Sequence, residues 1–195
     1  AALIQGSAAH TVEFDDIYRE AIYHPGAPTI AAAWALAQSR HASGLELIAA
    51  IVAGYEVSTR IGEALGRKHY RFWHNTGTVG AFGAASASAH LLGLDAPRHA
   101  HALATVGTFA AGLQQAFRMD SMSKPLHAGR AAEAGLAAAQ MAACGITGSL
   151  DILEGDVGMG RAMSDGPDWA PVVDTLGTRF NITRMTFKNH GCCGH

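Results

Sequence analysis

The chain has 195 residues, 49% of them apolar and only 15% charged, with a net charge of −2. That composition supplies a sizeable core and lies far from the disordered, highly charged class. With no basic field in the total, neither nucleic acid nor an anionic membrane is expected as a partner.

Three cysteines, Cys144, Cys192 and Cys193, are too few and too clustered for a disulfide framework, and adjacent cysteines seldom meet bridging geometry. Reduced thiols and a cytoplasmic setting are therefore expected. No charged segment followed by an apolar one opens the chain. The longest apolar run, Ala134 to Ala143, is interrupted by Gln140 and is too short to span a bilayer. These features predict a soluble protein.

Ala1-Ala2-Leu3-Ile4 opens the chain as though inside a helix, and Gly191 to His195 stops it directly after a strand and a turn. Both ends read as cuts in a longer protein. His24-Pro25-Gly26 is a turn, and Pro28 falls in the first turn of an alanine-rich helix through Arg40. Ser43 and Glu46 have capping-box spacing. They open a long helix whose expected apolar stripe is Ile48, Ile51, Val52, Tyr55 and Leu65. A third helix is predicted over about 77–92, with Gly77, Gly80, Ala84 and Ala87 giving a small-residue face for close packing. Asp95 caps a fourth helix, with Pro97 in its first turn. A fifth runs from about 125 to 144 and ends at Gly145.

Beyond Gly145 the character changes. Asp151 to Pro171 is rich in Gly, Asp and Pro, reading as short helix and loop. Phe180 to Phe187 carries β-branched and aromatic residues and is the one expected strand. The expected fold is mainly α: an all-helical domain over 1–170, followed over 171–195 by the start of a small α+β lid.

Four stretches hold residues suited to chemistry. In the first, His10, Glu13, Asp15 and Asp16 precede His24, an arrangement able to form an acid/base pair; a capping aspartate and a solvated loop histidine are the alternative. In the second, His74 immediately precedes a glycine-rich helix start, where N–H groups favour an anion, and a packing histidine is the alternative. In the third, Lys124 stands at a helix N-terminus, where the macrodipole disfavours a cation unless an anion joins it; His127 and Arg130 follow on the same face. With eleven arginines against three lysines, Lys68, Lys124 and Lys188 stand out as positions where a compact ammonium is retained. The fourth is Lys188 to His195. Its His190, Cys192, Cys193 and His195 lack the paired spacing of structural zinc sites, so no metal is expected. A thiol or imidazole beside a lysine is the better reading. The Gly155–Gly160 stretch follows no strand and has the wrong glycine order for a dinucleotide site.

Taken in order, these stretches resemble the MmgE/PrpD family. His10…Phe14-Asp15-Asp16…His24-Pro25 is similar to its opening motif, and Ala53-Gly54-Tyr55-Glu56-Val57 to a characteristic helix. His69-Tyr70…Trp73-His74…Thr78…Phe82-Gly83-Ala84, Ser123-Lys124-Pro125-Leu126-His127-Ala128-Gly129 and Lys188…Cys193 resemble three more segments, with Gly191 in place of the usual proline. The resemblance implies proteins more than twice this length, with a helical domain and an α+β lid; this chain would be the later helical part and the first lid strand. It also implies a cofactor-independent lyase, or an isomerase, acting on a small di- or tricarboxylic acid, in a homodimer. The family includes 2-methylcitrate dehydratases, cis-aconitate decarboxylases and iminodisuccinate epimerases. Carried over residue by residue, the implied catalytic groups are Asp16, His24, His74, Lys124, Lys188 and Cys193. Glu13, His69 and His127 are the implied substrate contacts. Ile17 stands where several members carry threonine, and Cys193 where the decarboxylase-type pattern has histidine, which points away from cis-aconitate decarboxylation. A non-catalytic helical scaffold is the alternative from another class.

Overall fold

Caps and turn residues set several of the helix boundaries in the computed structural model, which describes residues 1–188. Among those residues run the helices α1 (Ala2–Thr11), α2 (Gly26–Arg40), α3 (Gly44–His69), α4 (Asn75–Leu91), α5 (Ala96–Gly107), α6 (Lys124–Ala143), α7 (Met159–Met163) and α8 (Ala170–Val173). Strands β1 (Asp16–Ile17) and β2 (Thr186–Phe187) pair antiparallel, with Asp16 opposite Phe187. The fold is mainly α. The Ser43 N–H donates to Glu46 Oε2 at 2.7 Å and the Glu46 N–H returns to Ser43 Oγ at 3.3 Å, a complete capping box. Asp95 accepts the Arg98 N–H at 3.0 Å to start α5. Gly145, at φ 91°, turns the chain out of α6 in a conformation that a side chain would oppose.

Helix α4 is the centre of the molecule. Every residue from Asn75 to Ala89 is buried, because α2, α3, α5 and α6 all pack on it. The small-residue face expected from the sequence thus extends around the whole helix. Its closest neighbour is α6, where a Cβ added to Gly135 would lie 2.5 Å from both Ala84 Cβ and Ala85 N. Alanine and glycine let the backbones themselves fill the interior, so dense packing is reached with few large side chains.

The stripe expected along α3 is displaced. Tyr55 and Leu65 are buried, but Ile48 is 60% exposed. The face that meets α4 runs instead through Ala50, Gly54, Ser58, Ile61 and Leu65. Small groups at Ala50 and Gly54 admit the neighbouring helix where isoleucine would hold it off.

The strand expected over Phe180–Phe187 is also corrected. Only Thr186 and Phe187 form a paired strand, and Asn181–Arg184 forms a 3-10 turn. Side chains of α3 capture this segment before it can pair. Glu56 Oε1 accepts the Ile182 N–H at 3.1 Å, and Asn181 Nδ2 donates to Thr59 Oγ1 at 3.2 Å. Arg60, 1% exposed, ties down the preceding residues by donating to the carbonyls of Pro171, Asp174, Thr175 and Arg179. The pairing that survives has a consequence for the site. In the β1–β2 register Lys188 falls beside Asp15, and its N–H donates to the Asp15 carbonyl at 3.2 Å.

Candidate active site

The end of α1, the loop into β1, the entry to α2, and the first residues of α4 and α6 converge on one buried polar cluster. His10 is supplied by the last turn of α1, and Glu13 to Asp16 follow. Glu13 adopts φ 56°, a left-handed conformation that turns the chain sharply there. Paired main-chain bonds between Tyr18 and Tyr23, at 2.7 and 3.2 Å, close a tight loop that returns His24 beside Asp16. His74 is the residue before α4, anchored by its N–H to the Gly112 carbonyl at 2.9 Å.

Charges in the cluster are matched by neighbours. Glu13 bridges two ammonium groups, Lys124 on Oε1 and Lys188 on Oε2, the latter at 2.5 Å. Burial alone pushes the Glu13 carboxyl up, and the two lysines overcome it and hold it below the usual range. Lys188 also reaches Asp15 Oδ1 at 3.1 Å, while Asp15 Oδ2 receives His10 Nδ1. Despite burial, those bonds and the nearby positive charge hold the Asp15 carboxyl far below the ordinary value. Burial lowers the affinity of Lys188 for its proton, but Glu13 and Asp15 reverse this and leave it raised.

Asp16 behaves in the opposite way. Burial pushes its carboxyl up to about 6, against the Tyr55 hydroxyl at 2.7 Å and the Gly26 N–H at 3.0 Å, which favour the charged form. It is the main-chain oxygen of Asp16 that orients His24, accepting Nδ1–H at 2.7 Å. That bond places the His24 proton on Nδ1 and the ring lone pair on Nε2.

The imidazoles are kept neutral. Burial and then the Lys188 charge bring His24 down to about 4. His74 is held well below its usual value by burial, then by His10, His127 and other positive neighbours. His127 is lowered for the same reasons. His74 Nδ1 and His127 Nδ1 share a proton at 2.9 Å. Phe117 closes this side with its edge on His74, centroids 4.6 Å apart, and Lys124 Nζ lies 5.4 Å from its ring centre.

The structure therefore brings together Glu13, Asp16, His24, His74, Lys124, His127 and Lys188. It does not bring in His69. That ring is fully buried, one nitrogen bonded to the Met163 carbonyl at 2.9 Å and the other to Thr78 Oγ1 at 2.8 Å, so neither is left for a substrate. His69 is corrected to a packing residue that ties the end of α3 to α4 and to the last residue of α7. Arg130 turns outward and pairs with Glu133. Cys193, with His190, Cys192 and His195, lies outside the described residues. The cluster also holds His10 and Asp15, named in the first stretch but given no role by the resemblance, Tyr55, expected only in the apolar stripe of α3, and Phe117. The first two stand inside the opening motif and were legible there; Phe117 carried no signal.

A groove of about 810 Å³ opens next to the cluster, with Phe14, Ile30, Trp34 and Tyr55 in its walls. Asp15 and Asp16 line it, but among the described residues no lysine, arginine or histidine does. It offers a carboxylate nothing, whereas Lys124 and the imidazoles lie within the cluster.

A helical domain with buried histidines, carboxylates and lysines drawn from distant stretches is the class of protein that emerges. The model of the MmgE/PrpD N-terminal domain matches residues 1–172, and the chain belongs to the MmgE/PrpD family. It is similar to cis-aconitate decarboxylase of Homo sapiens, 36% identical over 195 aligned positions covering 96% of this chain and 40% of that protein. It is also similar to the cis-aconitate decarboxylase-like protein oryM of Aspergillus oryzae, 30% identical over all of this chain and 43% of that protein. Cis-aconitate decarboxylase of Aspergillus terreus is 29% identical over all of this chain and 42% of its own length. The chain thus spans about two fifths of the curated relatives it matches.

Proposed function

We propose that this chain carries much of the active site of a cofactor-independent lyase for an aconitate-type tricarboxylic acid. The observation that supports this best is the enclosure of neutral imidazoles, His24 and His74, together with the Lys124 ammonium in one buried cluster. The activity for which those relatives are named, decarboxylation of cis-aconitate, supports the aconitate type over dehydration of 2-methylcitrate or epimerisation of an aminodicarboxylate. It also outweighs the argument from Ile17 and Cys193.

Elimination of CO₂ from such an acid leaves an electron pair on carbon, delocalised onto an adjacent carboxylate. An ammonium already fixed in a water-poor site stabilises that charge without having to reorganise, usually the largest contribution to catalysis. Lys124 suits this role: its side chain is 20% exposed and pairs with the Glu13 carboxylate. A substrate carboxylate would join or displace Glu13 there. Lys188, with its side chain fully buried between Glu13 and Asp15, organises the carboxylates and does not meet substrate directly. His74 or His24, neutral at rest, takes up a proton once the substrate carboxylates bring negative charge beside it and delivers that proton to carbon, a step worth about 10²–10⁴-fold. The α+β lid expected from residue 171 onward is the part of the protein we assign to covering this cluster, and Cys193, outside the described residues, is kept as a candidate proton donor from the resemblance. A homodimer is the assembly we expect.

The test is NMR of the full-length protein in D₂O with cis-aconitate, citrate, 2-methylcitrate and iminodisuccinate. Loss of CO₂ from cis-aconitate with one deuteron placed on carbon is the expected result. Water loss from 2-methylcitrate, or exchange at carbon in iminodisuccinate with nothing lost, would replace this reading by the corresponding one. Inertness toward all four would favour a scaffold.

A further inference from the structure

The mechanism above leaves one buried imidazole unused. His10 is fully buried, and its Nδ1 is committed to Asp15 Oδ2. Asp15 is itself fixed by Lys188 at 3.1 Å. Any proton exchange at His10 must therefore occur at Nε2. That atom is buried and meets no hydrogen-bond partner among the described residues. Leaving a buried polar atom unpaired is costly. His69, which serves in packing, has both of its nitrogens bonded.

The ring lies close to two other imidazoles. Its centroid lies 5.7 Å from that of His24 and 5.6 Å from that of His74. The protein supplies its own yardstick. His74 and His127 are joined through nitrogens 2.9 Å apart, and their centroids are separated by 5.2 Å. His10 thus lies within about half an ångström of hydrogen-bonding separation from both candidate acid/base residues. Four imidazoles form a row, His127–His74–His10–His24, with the half-buried His127 at its outer end.

We propose that His10, held by Asp15, passes protons between His74 and His24 through Nε2. Nδ1–H stays on Asp15 throughout. Nε2 takes a proton from one neighbouring ring, the imidazolium pairs with the Asp15 carboxylate, and the same proton leaves to the other ring. His10 ends each cycle unchanged. This rests on the lyase reading for its catalytic consequence: placing one proton on carbon per CO₂ released consumes one proton from the site, which must be restored from solvent. His10 is then a positioning and relay residue, not one that touches substrate.

The decisive variant is His10→Asn in the full-length protein. Its amide N–H can replace Nδ1–H on Asp15, while the second nitrogen is lost. With cis-aconitate as probe, turnover is expected to fall by about tenfold or more, with KM within about threefold of wild type. The solvent deuterium effect on turnover should rise as proton delivery becomes limiting. Turnover within about twofold of wild type with an unchanged isotope effect would overturn the proposal. A second readout needs no substrate and no variant. Ring-¹⁵N NMR of the wild-type protein should find the His10 proton on Nδ1 and a titrating Nε2. An Nε2–H tautomer that stays put across the pH range would overturn the relay even if His10→Asn failed to fold. Absence of turnover by wild type would remove the lyase reading and leave the NMR measurement to decide His10.

Discussion

Two buried polar networks lie on either side of β1 and α3, and they are built on opposite plans. Around Arg60, five guanidinium donors are spread over four main-chain carbonyls and Glu56. The acceptors are mostly backbone, and the group cannot titrate near neutrality. Around His10, the partners are ionisable side chains, and each one's charge depends on the others: Asp15 on His10 and Lys188, Glu13 on both lysines, His74 on Lys124 and the neighbouring imidazoles. Both networks bury charge. The first spends its polar groups on holding the chain from Pro171 to Arg179 against α3. The second leaves His10 Nε2 unpaired and keeps three imidazoles neutral, which is poor for stability and useful for proton transfer. Burial alone does not separate structure from function; the chemical nature of the partners does.

Exchanging the roles of these networks should fail in characteristic ways. Arg60→Ala strands four carbonyls and Glu56, and is expected to cost about 3–5 kcal/mol of stability. Folded molecules, assayed at low temperature, should turn over nearly as wild type. A denaturation midpoint equal to wild type would show the staple to be ornamental. Lys124→Ala and His74→Ala should do the reverse. Each should cut turnover by about 10²-fold with a melting temperature within a few degrees of wild type. Activity within about twofold of wild type would remove that residue from the mechanism.

How much of this was legible beforehand follows the same division. The capping box at Ser43, the cap at Asp95 and the stop at Gly145 were readable because each acts through residues a few positions away. The association of His24, His74 and Lys124 came from motif resemblance, since nothing local says that α4 and α6 begin side by side. The strand at Phe180–Phe187 was misjudged because its composition is strand-like, while Glu56 and Thr59, more than a hundred residues earlier, decide its shape. Ile48 was misplaced because periodicity finds an apolar face, and here the buried face is made of alanine, glycine and serine. His69 matched a family segment and proved to be packing, a distinction visible only in where its two nitrogens point.

The neutral histidines make stability depend on pH. A histidine whose folded affinity for protons is depressed stays neutral while the unfolded chain protonates, so stability is lost as pH falls from about 6.5 toward 4. For His69, held at about 4 mainly by burial, the loss between pH 7 and pH 5 is roughly 2 kcal/mol. His69→Gln should be less stable at pH 7 yet show a shallower decline on acidification, measured by urea unfolding at both pH values. An unchanged slope would mean that His69 takes up its proton at the same pH in the folded protein as in the unfolded chain.

Asp16 carries the opposite sign, and Tyr55→Phe isolates it. Because the folded Asp16 carboxyl titrates at about 6 against an ordinary 3.8, the folded state holds its proton more tightly than the unfolded chain. That contribution is fully present below 3.8 and disappears as pH rises through 6. The Tyr55 hydroxyl opposes this by donating to the ionised carboxylate at 2.7 Å. Removing it should cost about 1.5–3 kcal/mol above pH 7, where Asp16 is charged. Near pH 4.5 the cost should be smaller, because a protonated Asp16 has less need of the donor. Urea midpoints for Tyr55→Phe and wild type should therefore converge as pH falls, while those for Arg60→Ala stay apart. Parallel curves for Tyr55→Phe would mean that Asp16 does not change charge in this range. Its main-chain bond to His24 would then be its whole contribution to the site.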